Sequence, residues 1–212
     1  MRPESPAPAF GLSAEDFLKA GFQFGPGIRL LVGTSVLIGY LNVSDLWHQI
    51  AVWLFDAAIL VEPAPRMFVT HRVLGEYAHR VSRDFLEHVG GRLRRPTRQD
   101  VSAARAGALK RLTAILGPYP LIGLFPSTEA VMVEWQRLYE MLPFDETDAL
   151  QLANCKVYGF DFLTVDRRLI EVALGAREEL TRLGYSFRIY HTPNLAQAPG
   201  IGGSPPSERV PD

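Results

Sequence analysis

Short apolar runs alternate with longer stretches of helical spacing through the middle of this chain. Ile28-Arg29-Leu30-Leu31-Val32, Met67-Phe68-Val69, Leu121 to Phe125, Phe160 to Val165 and Ser186 to Tyr190 have the length and apolar content of strands. Helical patterns lie between them: Ser44 to Ala58, Arg72 to Phe85, Gln99 to Leu116, Thr128 to Leu142, Thr147 to Tyr158 and Arg167 to Leu174. Ser44 and Asp45 give the first of these a start signal, and Gly117-Pro118 stops the third. Strands joined through helices pair in parallel, because the helix carries the chain back across the sheet before the next strand begins. The expected class is therefore α/β with a parallel sheet. In such a sheet ligands bind beyond the carboxyl ends of the strands.

With 212 residues, 47% of them hydrophobic, the chain suits one domain with a substantial core. Both ends read as decoration. Residues 1–27 are a proline-rich extension with one short helical candidate, Ser13 to Ala20, and 193–212 hold five prolines and three glycines, the composition of a flexible tail. The domain proper is expected over 28–192, with a helical, basic insert at about 85–127. The single cysteine, Cys155, excludes an internal disulfide framework and a cysteine zinc knuckle. No secretory signal is visible, and the longest apolar stretch, Ile50 to Val61, is broken by Asp56. The expectation is a soluble, cytoplasmic protein with no membrane partner.

The strand-end rule selects a few positions. Asp166 follows the strand that ends at Val165, and Gly33 holds the equivalent place after the first strand. Asp148 opens a helix just after Thr147, and Glu76 lies about one turn into the helix that follows Met67-Phe68-Val69. Packed as one sheet with flanking helices, Glu76, Asp148 and Asp166 converge on one cleft. Clustered carboxylates are hard oxygen donors of the kind that hold Mg²⁺ or Mn²⁺. Each acid also has a plainer role open to it. Asp148 complements a helix dipole, Asp166 caps the helix starting at Arg167, and Glu76 sits on a helix surface.

Four segments carry a resemblance. Leu30-Leu31-Val32-Gly33-Thr34-Ser35-Val36-Leu37-Ile38-Gly39-Tyr40-Leu41-Asn42 resembles the opening strand and turn of a PIN domain, the fold of many ribonucleases. Val69-Thr70-His71-Arg72-Val73-Leu74-Gly75-Glu76 resembles that family's second motif, Asp148-Ala149-Leu150-Gln151-Leu152-Ala153-Asn154 its third, and Leu163-Thr164-Val165-Asp166-Arg167-Arg168-Leu169 its fourth. They occur in family order over roughly 28–190, and VapC-type toxins are similar. The resemblance implies a three-layer α/β/α fold around a mostly parallel sheet. It also implies a ribonuclease with Glu76, Asp148 and Asp166 as catalytic and metal-holding acids, Mg²⁺ or Mn²⁺ as cofactor and RNA as substrate. An antitoxin protein and a second copy of the chain are the implied protein partners. Asp145 is a spare, weaker metal ligand, and Thr34, Ser35 and Thr164 offer hydroxyls near the cleft.

One departure stands out. The family's first motif carries an aspartate where this chain has Gly33. Three carboxylates balance at most three positive charges, against the four of two divalent ions, so a two-metal site is harder to stabilise. The departure fits a degenerate domain, a modified metal site or an inactivated variant of a toxic nuclease. The competing reading is a non-catalytic PIN domain that binds RNA or protein.

Charge is unevenly spread. The total is −1, yet residues 66–111 carry 11 basic and 4 acidic groups, net +7. Arg92, Arg94, Arg95 and Arg98 form its densest part and are the candidate substrate-binding residues, since forked guanidinium donors suit phosphates. A solvated face or a surface for an acidic partner is the other reading of that segment. The histidines His48, His71 and His79 are weak metal candidates beside oxygen ligands. Cys155, Trp47, Trp53 and Trp135 are expected to fill the core or an interface.

Overall fold

The computed structural model describes residues 27–43, 45, 47–55, 65–90, 96–116, 121–125 and 128–191. The helix expected at Ser13 to Ala20, the C-terminal tail and Arg92, Arg94 and Arg95 lie outside the described residues.

The elements run β1 (Arg29–Val32), α1 (Thr34–Leu41), α2 (His48–Leu54), β2 (Arg66–Thr70), α3 (His71–Gly90), α4 (Arg98–Leu116), β3 (Leu121–Phe125), α5 (Glu129–Met141), α6 (Glu146–Tyr158), β4 (Asp161–Thr164), α7 (Arg167–Gly175), α8 (Arg177–Arg182) and β5 (Ile189–His191). The strands form one five-stranded sheet in the order β3-β2-β1-β4-β5. Every pairing in it is parallel. The sequence read β1 as an unbroken apolar run because the strand is central and covered on both faces. Leu30 and Val32 enter one core with Val36, Leu37, Val73, Tyr77 and Leu112 from α1, α3 and α4. Leu31 enters the other with Phe68, Phe162, Leu138, Leu152 and Leu169, under α5, α6 and α7. Two cores on opposite sides of one sheet make the three-layer α/β/α arrangement.

Helix α1 corrects one expectation. The segment after Gly33 reads as strand and turn, with the first helix starting at Ser44. The structure instead forms a helix over Thr34–Leu41 and starts the next one at His48. Thr34, Val36, Leu37, Ile38 and Gly39 of α1 are all buried, so the helix has no polar stripe to announce its period. It meets α2 closely: a Cβ on Gly39 would lie 3.3 Å from the Cβ of Ala51. His48 secures the crossing by donating from Nδ1 to the carbonyl of Gly39, 2.9 Å.

The stretch expected as an insert is partly integral. Helix α3 runs on to Gly90, α4 packs back along it, and β3 then pairs with β2 as an edge strand of the sheet. Among the described residues, no helix is long and apolar enough to cross a membrane.

Helix α6 carries Asp148, follows Asp145 and is sharply bounded. Asp145 caps its start by accepting from the Asp148 N–H at 2.8 Å. Gly159 ends it in the left-handed region at φ 66°, where a side chain is strained. Nothing lies within 4 Å of a Cβ built at Gly159. Gly159→Ala therefore introduces backbone strain and no clash, and should cost about 1 kcal/mol. A shift in the denaturant midpoint with an unchanged m-value would check it, and a neutral result would contradict the cap's role.

Candidate active site at the carboxyl edge of the sheet

Three strand ends and one helix start meet at this edge. Gly33 and Thr34 follow β1, α3 follows β2 without a break and carries Glu76, and Asp166 follows β4 by two residues. From the far layer, the start of α6 brings Asp145 and Asp148. Parallel pairing of β1 with both β2 and β4 puts all three strand ends on the same side.

Each acid is held differently. Thr34, buried at 7% exposure, donates from Oγ1 to Glu76 Oε2 at 2.8 Å, tying α1 to α3. Asp166 accepts from the Leu169 N–H through Oδ1 at 3.1 Å, so the capping role foreseen for it is real. Its own N–H donates to Thr164 Oγ1 at 3.0 Å, which fixes the turn presenting the carboxylate. Asp145, too, spends one oxygen on a helix cap. In Asp166 and Asp145 alike, the cap leaves the second carboxylate oxygen without a hydrogen bond among the described residues. Ser35 is half-buried beside Thr34 and makes no hydrogen bond among the described residues.

Asp148 reports how close these charges are. Its carboxyl is pushed from the ordinary aspartate range up to about 7, first by burial, then by the charges of Asp145 and Asp166, with Glu76 adding a smaller push and Arg168 pulling the other way. One carboxyl thus senses the three other acids singled out from sequence. Among the described residues, however, no three His, Cys, Asp or Glu side chains form a ready-made metal cage. The two observations agree if the cation is a hydrated one. Mg²⁺ keeps several waters and is commonly held by one or two carboxylates together with a substrate phosphate. The donor chemistry therefore fits a hard divalent cation in an open cluster.

Gly33 follows β1 at the same edge. Its backbone is extended, at φ −75° and ψ 157°, which any residue adopts, so conformation does not demand glycine here. Its N–H donates to the Leu163 carbonyl at 2.8 Å, continuing the β1–β4 ladder. A Cβ built on it would lie 3.2 Å from that carbonyl oxygen and 3.4 Å from Phe162 Cζ. The space is tight but not closed.

Two buried polar side chains escaped the sequence reading. Gln151, one turn beyond Asp148, donates from Nε2 to Thr70 Oγ1 at 3.1 Å, and that oxygen also accepts from the Val73 N–H at 3.2 Å. Gln151 Oε1 and Asn154 Oδ1 are buried with no hydrogen-bond partner among the described residues. The available signal was the spacing of Asp148, Gln151 and Asn154, which puts three polar groups at helical intervals on one side of α6.

The arginines and histidines lie around the acids, not among them. Arg168 is near enough to act on Asp148, and Arg72 donates to Thr147 Oγ1 at 3.4 Å at the α6 start. Arg98 is on α4. His71 is exposed, His48 is committed to Gly39, and His79 meets Arg105. Cys155 is fully buried, as expected, and Trp135 donates from its indole N–H to the Glu146 carbonyl at 3.1 Å.

A family model described as the PIN domain matches residues 30–174. No curated protein sequence matches the chain. Among solved structures, the crystal structure of VapBC2 from Rickettsia felis bound to a DNA fragment from their promoter is similar, at 11% identity and TM-score 0.47, covering 77% of this chain and 98% of that one.

Proposed function

Because this chain belongs to the PIN domain family, we propose that it is a metal-dependent nuclease hydrolysing RNA phosphodiester bonds, with Glu76, Asp148 and Asp166 as its acids. The observation that carries the reading is the position of Asp148, half-buried at the carboxyl edge, within the field of Asp145, Asp166 and Glu76. Like charges gathered in a partly dry site raise one another's energy, and a bound cation relieves it. The cation class is Mg²⁺ or Mn²⁺, which when bound lowers the pKa of a water and offsets charge on the leaving oxygen. Asp148 and Asp166 are the direct ligands in this proposal, with Asp145 in reserve.

The chain's own groups do the positioning. Thr34 holds one oxygen of Glu76, and the other, with no hydrogen bond among the described residues, can orient a water or accept a proton. Thr164 and the α7 start fix Asp166, and Arg168 offers a phosphate a donor beside the acids. The same reading makes a small antitoxin protein that covers these acids the expected partner.

The test is RNA cleavage with Mn²⁺ by the chain and by Asp166→Asn and Glu76→Gln. Losses of about 100-fold or more are expected for each variant. Cleavage that survives both substitutions, or excess chelator, would sink the assignment. Gly33 favours a second reading, a domain that binds RNA without cutting it. RNA binding by a chain that never cuts it, with either metal, would establish that reading in place of the first.

A further inference from the structure

A cavity of about 350 Å³ opens at the start of α4, lined by Pro96, Thr97, Arg98, Val101, Ser102 and Arg105. Arg98 and Arg105 are two helical turns apart, about 10 Å along the axis, and therefore stand on one side of α4. Arg105 is held in place: its Nη2 donates to His79 Nδ1 at 3.0 Å. His79 is one turn beyond Glu76 on α3, so Arg105 stands close to the acids and Arg98 farther out. Arg98 is exposed and, among the described residues, makes no hydrogen bond or ion pair. The acid nearest in sequence, Asp100, does not cancel this charge freely. Its Oδ2 accepts from both the N–H and the hydroxyl of Thr97, each at 2.8 Å, in the cap of α4.

We propose that this edge of α3 and α4 holds the backbone of single-stranded RNA leading away from the acids. Arg105, positioned by His79, takes a phosphate near the cleavage point. Arg98 takes one farther along, with sugar or base resting on Pro96 and Val101. The forked guanidinium groups suit phosphate oxygens, and a cavity with an apolar floor suits the uncharged part of a nucleotide. A run of positive groups that starts at acids and extends outward suits a polymer with repeating phosphates better than a single anion. The net +7 of residues 66–111 adds a field of the same sign. The identity of the occupant rests on the nuclease reading, but its test does not use cleavage.

The measurement is anisotropy of a labelled single-stranded RNA oligomer with the full chain, chelator present, across a salt series. Arg98→Ala with Arg105→Ala should weaken binding about tenfold or more at low salt. It should also flatten the slope of log K against log salt by about 0.7 per lost contact. His79→Leu should lose the Arg105 share, and His79→Gln, whose amide oxygen still accepts, should recover it. All these residues are exposed, so thermal melts should match the parent. A double variant that keeps the parental affinity and slope overturns the proposal and leaves the nuclease reading intact. Equal affinity for a polyglutamate of the same length, lost in the same variant, also overturns it, by making the cavity a site for acidic protein. A flattened slope in a chain that never cleaves RNA supports the track while the nuclease reading fails.

Discussion

Asp148→Asn should melt higher than the parent chain at pH 8, by roughly 3–5 °C in the absence of divalent metal. The raised pKa sets the sign. A carboxyl raised to about 7 in the folded state is harder to ionise there than in the unfolded chain. Its stabilising contribution is fully present below the ordinary aspartate range near 4, and is lost once pH has risen through about 7. The gap corresponds to at most about 4 kcal/mol; solvent screens this half-exposed carboxyl and leaves about 1–2 kcal/mol, and 1 kcal/mol moves a chain of this size by about 2–4 °C. Asparagine removes the charge and keeps the backbone N–H that Asp145 caps. The advantage should shrink as pH falls and vanish near pH 4. Saturating Mn²⁺ should reverse the ranking at pH 8, because only the parent has the full carboxylate set to bind it. A variant no more stable than the parent at pH 8 would mean that Asp148 is not electrostatically crowded.

Gly33→Asp should restore what the first motif lacks. Its backbone needs no change, since φ −75° and ψ 157° are open to aspartate. The cost is packing: the new Cβ meets the Leu163 oxygen at 3.2 Å and Phe162 Cζ at 3.4 Å, and the ring can yield more easily than the ladder carbonyl. A further charge also joins an already crowded cluster. Without metal the variant should lose about 1–2 kcal/mol. With Mn²⁺ it should recover this and exceed the parent, and RNA cleavage should rise roughly 100-fold. The two readouts separate the cases. Metal-dependent stabilisation without cleavage would retain the cation site and reject catalysis by it. Neither effect would mean that position 33 does not face the acids.

What the sequence disclosed follows from how much local pattern each element needs. Strands β1 to β4 and helices α4 to α7 were legible within a few residues, because each has either a continuous apolar run or a polar face. Helix α1 was not, since burial removed its polar face. Nor was α8, whose Arg177–Arg182 span is too short for a period to emerge. Among the candidate acids, the places of Glu76 and Asp166 after strands and of Asp148 at a helix start were legible. Their fixings were not, because the Thr34–Glu76 bond joins residues 42 apart in sequence. Nor could sequence tell whether Gly33 answered to conformation or to space. The dihedral angles exclude conformation, and the Cβ contacts leave the space tight but not closed.

The central place of β1 has a consequence during synthesis. Its neighbours in the sheet are β2 and β4, and the β4 partners of Leu30 to Val32 are Asp161 to Leu163. A ribosome must therefore release some 130 further residues before the first strand is closed on both sides, and such distant pairings assemble slowly. Asp166 emerges just after that closing strand. A nascent or truncated chain that stops short of it has neither a completed sheet nor a completed acid cluster. Under the proposed function, topology alone would keep hydrolysis from appearing before nearly the whole domain has left the ribosome.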